Sequence, residues 1–203
     1  MQRLIRVGII GVLGAMVLGA KAQVFTVSYE QTVTHGRDVI QSKVLIKDDL
    51  FRIESAMAGL ESVIIRNAEG VFHYLPKDRM AMKMPMIEEP QEPATHLNNY
   101  AGYLKERHAE LLRSEVVNGV TCDVYRFTDP AIQGSTTAWV WKEKQFPVRL
   151  EIDGADGKTL VELRNIQVGA AAPDDAFQLP SRVQVMDTEQ MPALKNLLSG
   201  EGR

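Results

Sequence analysis

Ser114-Glu115-Val116-Val117-Asn118-Gly119-Val120-Thr121-Cys122-Asp123-Val124-Tyr125-Arg126-Phe127 spells out two strands and the turn between them. Asn118 and Gly119 both tolerate positive φ, the backbone a two-residue hairpin turn needs, and the flanking residues are strand formers. Val120, Cys122 and Val124 fall on one strand face, so Cys122 reads as a buried, inert thiol. Downstream the pattern repeats. Ser135–Lys142 sets Trp139 and Trp141 on one face and Ala138 and Val140 on the other. Phe146-Pro147 leads into Val148–Ile152, Gly154–Gly157 turns, and Lys158–Val168 returns.

Upstream the same grammar holds. Val24–Val33, Val39–Lys47, Leu50–Met57, Ser62–Arg66, Val71–Leu75 and Met80–Met84 read as six short strands joined by polar or glycine turns, an antiparallel meander. Between the two meanders, 85–99 carries three prolines and reads as a loop. From Leu97 the period changes. Leu97, Tyr100 or Ala101, Leu104, His108, Leu111 and Leu112 mark one face of an amphipathic helix. Leu194, Leu197 and Leu198 suggest a short helix near the C-terminus. The expected fold is mainly β in a single domain, 23–203.

Residues 1–22 read as a targeting segment. Arg3 and Arg6 precede an uncharged run from Val7 to Ala20, and Ala20-Lys21-Ala22 supplies a small-x-small cleavage signal. Fourteen helical residues reach only about 21 Å, short of a ~30 Å hydrocarbon core. Cleavage near Ala22 predicts an exported, periplasmic protein that is not integral to a membrane.

Composition narrows function by exclusion. The chain has 203 residues, with 23 Lys and Arg against 26 Asp and Glu. Loss of 1–22 removes three cations and no acid, leaving a formal charge of −6. That sign disfavours nucleic acid as a partner. A single cysteine excludes an internal disulfide framework. No nucleophile elbow, phosphate loop or HExxH helix occurs, and His35, His73, His96 and His108 are scattered. No enzyme activity and no cofactor are expected.

The densest chemical pattern is Met80-Ala81-Met82-Lys83-Met84-Pro85-Met86, four methionines spaced two apart. On a strand they share a face. A turn at Pro76–Arg79 would set Leu75 opposite Met80 and His73 opposite Met82. The row reads first as a flexible apolar lining with no metal. The alternative is Cu(I), held by His73, Met80, Met82 and Met84, because thioethers select soft ions.

The order of elements, and above all 115–180, resembles the LolA/LolB-like superfamily of periplasmic lipoprotein carriers and lipid binders. The resemblance runs through Val116-Val117-Asn118-Gly119-Val120, Cys122-Asp123-Val124-Tyr125, Trp139-Val140-Trp141 and Phe146-Pro147-Val148-Arg149-Leu150-Glu151. It continues in Asn165-Ile166 and Asp174-Asp175-Ala176-Phe177-Gln178-Leu179-Pro180. It implies a strongly curved antiparallel sheet, a half-open β-barrel covered by one or more helices, with an apolar cavity between them. A curved sheet around a helix does not fill its interior with medium-sized side chains alone. The expected function is non-catalytic binding or carriage of an acyl chain, lipid or lipoprotein in outer-membrane biogenesis. The expected cavity walls are Phe25, Val27, Tyr29, Phe51, Ile53, Met82, Met84, Trp139 and Trp141. In such carriers an arginine on an early strand is tied to ligand retention; Arg37 and Arg52 lie in that region without a matching motif. The alternative is an envelope protein-interaction or stress-sensing module of the same fold, with the acidic stretch Glu88–Glu92 facing the partner.

Overall fold

A computed structural model describes residues 24–57, 59–84, 93–129 and 134–187. The targeting segment 1–22, the stretch 85–92 and the C-terminal leucines lie outside the described residues.

The first meander is β1 (Thr26–His35), β2 (Asp38–Lys47), β3 (Leu50–Met57), β4 (Leu60–Asn67), β5 (Gly70–Leu75) and β6 (Met80–Met84). A 3-10 turn (Pro93–Asn99) and helix α1 (Tyr100–Glu106) follow. The second meander is β7 (Glu110–Val117), β8 (Val120–Asp129), β9 (Gly134–Trp141), β10 (Phe146–Gly154) and β11 (Gly157–Val168). Another 3-10 turn (Asp174–Phe177) precedes a last strand, β12 (Gln184–Asp187). The strands of the described residues form one open sheet in the order β12-β6-β5-β4-β3-β2-β1-β11-β10-β9-β8-β7. The fold is therefore mainly β, a half-barrel left unclosed.

Local chemistry explains the joints. Asn118 (φ 52°) and Gly119 (φ 81°) both adopt the left-handed conformation that the β7–β8 turn demands. Register shifts at Ser28/Glu30, Pro147/Arg149 and Leu111/Arg113 mark bulges, and bulges bend the strands that carry them. The two meanders join at the centre, where β1 pairs antiparallel with β11.

Two sequence expectations need correction. The amphipathic helix is shorter than its periodicity suggests. It stops at Glu106, His108 sits exposed at φ 50°, and Leu111 and Leu112 belong to β7. Part of the proline-rich loop is ordered as the 3-10 turn 93–99, which its proline opens, the position where a missing N–H does least harm.

The core lies between α1 and the sheet. Leu97, Tyr100, Tyr103 and Leu104 pack on Val27, Tyr29, Val44, Phe127, Ala138, Val140, Phe146, Leu150 and Leu163. We call this side of the sheet the inner face. Tyr100 is 1% exposed, and its hydroxyl has no hydrogen-bond partner among the described residues. Burial, and then the neighbouring Tyr103, push that hydroxyl's pKa far above the ordinary tyrosine value. Leaving a buried hydroxyl unpaired costs about 1–3 kcal/mol. Tyr100→Phe is accordingly expected to raise stability by about 1 kcal/mol, read as a higher urea midpoint at unchanged slope.

Candidate functional site: the inner face of the first meander

Cross-strand register sets the site. Tyr29, Val44, Ile53, Ile64, His73, Met82 and Met186 stand opposite one another in turn from β1 across to β12. Beside them runs Val27, Ile46, Phe51, Arg66, Val71 and Met84. Opposed residues share a face, so both rows continue the inner face outward from the α1 core. Burial falls along the way. Val27, Tyr29 and Val44 are buried, whereas Phe51, Ile53, Ile64, Val71, His73, Met82, Met84 and Met186 are half-buried.

The outer face of the same strands is sealed instead. Val63, Ile65, Tyr74 and Ala81 pack against Leu179 and Val183. Arg52 Nη1 donates to the Ala176 carbonyl (3.2 Å), Asn67 Nδ2 to the Phe177 carbonyl (3.0 Å), and Lys47 pairs with Asp174. Segment 172–183 is thus strapped to the outside of the first meander. The inner face is left as its less covered apolar surface.

Of the nine expected cavity residues, Phe25, Val27, Tyr29, Phe51, Ile53, Met82 and Met84 lie on the inner side. Trp139 and Trp141 do not. Their strand phase matches expectation, but it is Ala138 and Val140 that face α1. Trp139 joins Cys122, Val124 and Val148 on the outer face, with Trp141 beside them. The Arg149 guanidinium lies 4.8 Å over the Trp139 ring, and Trp139 Nε1 donates to Glu115. A cleft of about 540 Å³ opens nearby, lined by Val120, Trp141, Val148, Arg164 and Ile166 among others. Cys122 is fully buried, and burial raises its thiol pKa, which keeps it protonated and inert.

Arg113 donates to Glu115 (2.7 Å) and, with the Trp139 N–H, holds the Glu115 carboxyl below the usual carboxylate range. A lowered native pKa contributes stability that is present above the unfolded value and lost as pH falls through the native one. Acid titration should therefore change Trp139 fluorescence with a midpoint below the ordinary glutamate value, and Glu115→Gln should abolish that step.

Two further residues, Arg66 and Met186, join the expected walls on the inner face. Arg66 stands between Phe51 and Val71, with no ion-pair partner among the described residues. Arg37 sits in the exposed β1–β2 turn and Arg52 on the outer face, bound to Glu54 and Ala176. Met186 reaches the rows because β12 pairs in parallel with β6. Strand alternation points to Arg66, which shares its phase with Ile64; nothing local marks Met186. His73 faces Met82, and Leu75 faces Met80, as the Pro76–Arg79 turn implies. His73 Nε2 lies 2.9 Å from Ser62 Oγ. His, Cys, Asp and Glu form no group of three or more suited to a metal among the described residues. No helix among them is long and apolar enough to cross a membrane.

No family model matches the chain, and no curated protein matches it. Solved structures with a similar fold include an uncharacterized conserved protein from Thermus thermophilus, at 13% identity and a TM-score of 0.52. That match covers 81% of this chain and 88% of the other. MucB is similar at 11% identity and a TM-score of 0.51, over 80% of this chain and 60% of MucB. MucB in complex with MucA(peri) gives 11% and 0.50, over 80% and 57%. This chain therefore spans less than two thirds of the length of the MucB chains. At these identities the likeness is one of fold.

Proposed function

We propose that the protein is a non-catalytic periplasmic binding protein that takes an acyl chain, of a lipid or a lipoprotein, along the inner face of β3 to β6. One observation carries the reading. These strands have an outer face sealed by their own chain and an inner face of apolar, half-buried side chains. Acyl chains gain about 0.8 kcal/mol per methylene removed from water on such a surface. Arg66, a cation set among apolar neighbours, supplies a charge to meet a carboxylate or phosphate head group. Native mass spectrometry of the protein taken from its own envelope tests this, together with fluorescent fatty acyl probes. Co-purified lipid, or saturable probe uptake, is the expected result. Persistent absence of both sinks the reading.

A second reading, an envelope protein-interaction module, draws on a different feature. Among the described residues, strand β7 ends the sheet with an unpaired edge and exposes Val116 (70%) and Leu111 (56%). Such an edge accepts a partner's strand, and MucB, of similar fold, has been crystallised with MucA(peri). Cross-linking from β7 in the native envelope distinguishes the two, since acyl binding predicts no protein adduct there.

A further inference from the structure

We propose that His73, Met82 and Met186 form a binding site for a soft monovalent metal ion, Cu(I), on the inner face where β5, β6 and β12 meet. The three residues come from separate strands. Met82 is the central one, directly opposite His73 on one side and directly opposite Met186 on the other. Opposed Cβ atoms of an antiparallel pair such as β5 and β6 lie about 4.5–5.5 Å apart. Neighbouring strands such as β6 and β12 run about 4.7–4.9 Å apart, and a methionine side chain has three torsions with which to converge its sulfur. The sequence pattern alone supplies one imidazole and a single strand of thioethers. Strand β12 adds what a site needs, a donor from the opposite flank.

The imidazole is the informative member. His73 is a polar residue in an otherwise apolar row, between Ile64 and Met82. Ser62 Oγ engages its Nε2 at 2.9 Å. If Nε2–H donates to Ser62, the ring is oriented and Nδ1 presents a lone pair, the arrangement in which metal-bound histidines are held. Nδ1 has no partner among the described residues. Packing alone is served equally well by leucine; a half-buried imidazole with one nitrogen bonded and the other bare is better explained by a ligand.

Donor chemistry selects the ion. One imidazole and two thioethers are neutral and soft, which suits Cu(I) and does nothing to neutralise a hard dication. The nearest acid in sequence, Asp187, stands opposite Lys83 and alternates to the other face. The three donors are half-buried, so an ion reaches them without unfolding and leaves part of its water behind. His73 and Met82 also lie on the face proposed for the acyl chain, so the metal is titrated on protein free of lipid and the two readings fail separately.

Anaerobic titration of the purified protein with Cu(I), in competition with the chromophoric chelator bathocuproine disulfonate, reads the affinity directly. The expected result is one equivalent bound, with Met82→Leu and Met186→Leu each weakening binding at least tenfold. Leucine and methionine are close in volume, so both variants should keep the fold. Met57→Leu, at the far end of β3, should bind as the parent does. Failure to retain Cu(I) against the chelator overturns the proposal. So does unchanged affinity in Met186→Leu, or an equal loss in Met57→Leu. A measurement without substitutions guards against misfolded variants: Ag(I) added to protein carrying 13C-methyl methionine should shift the Met82 and Met186 signals and leave Met57 in place. Uniform shifts, or none, would equally overturn it.

Discussion

Tyr103→Ala is expected to remove about 3–5 kcal/mol of unfolding free energy, the range for truncating a large buried aromatic. A domain of this size holds about 5–15 kcal/mol in total, so the variant should sit near the edge of stability. Helix α1 has seven residues, too few to persist on backbone hydrogen bonds alone. It is held by Tyr100, Tyr103 and Leu104, and Tyr103 is the hub. His96 stacks on it at 4.6 Å, Tyr100 tilts against it at 5.5 Å, and Phe127 meets it edge-on at 5.6 Å. The Arg107 guanidinium lies 5.3 Å from its centroid. Alanine leaves a void bounded by four side chains and loosens the helix from the sheet. Urea unfolding measures the loss. A change below about 1 kcal/mol would mean that α1 is not part of the cooperative core.

Ile64→Glu is expected to weaken uptake of a fluorescent fatty acyl probe about thirtyfold, equivalent to ~2 kcal/mol. Ile64 is half-buried on the inner face, flanked across the sheet by Ile53 and His73. A carboxylate there keeps its water and repels both the chain and an anionic head group. Because the site is only half-buried, the substitution should leave the fold intact, which circular dichroism verifies. The control is Val116→Glu, on a 70% exposed position of β7, where no change in uptake is expected. Equal uptake by Ile64→Glu and the parent would remove this face from the binding surface.

The first meander is readable almost strand by strand, since a period of two and strong turn residues are local signals. The hairpin at Asn118-Gly119 and the facing of His73 with Met82 follow from such signals. The helix end is not readable. Leu104, His108 and Leu111 keep helical spacing although the backbone breaks at His108, because spacing records side-chain identity and not φ. The tryptophans show a second limit. Alternation separates two faces, and in β9 both are apolar, so it does not say which one meets the helix. Size decides: Ala138 and Val140 leave room for Tyr100 and Tyr103, whereas two indoles would not. Strand β12 shows a third. Parallel pairing needs no turn, and four residues about a hundred positions from their partner leave no local trace.

That same pairing sets a timetable for folding. Strand β6 is synthesised long before β12, and β1 long before β11, so the emerging first meander has unpaired backbone at both sides. Contacts so distant in sequence make for slow closure and a high contact order. During that interval the bare strands are open to pairing with other chains. A chaperone that shields them would then have its greatest effect on yield before residues 158–187 are made, and little effect afterwards.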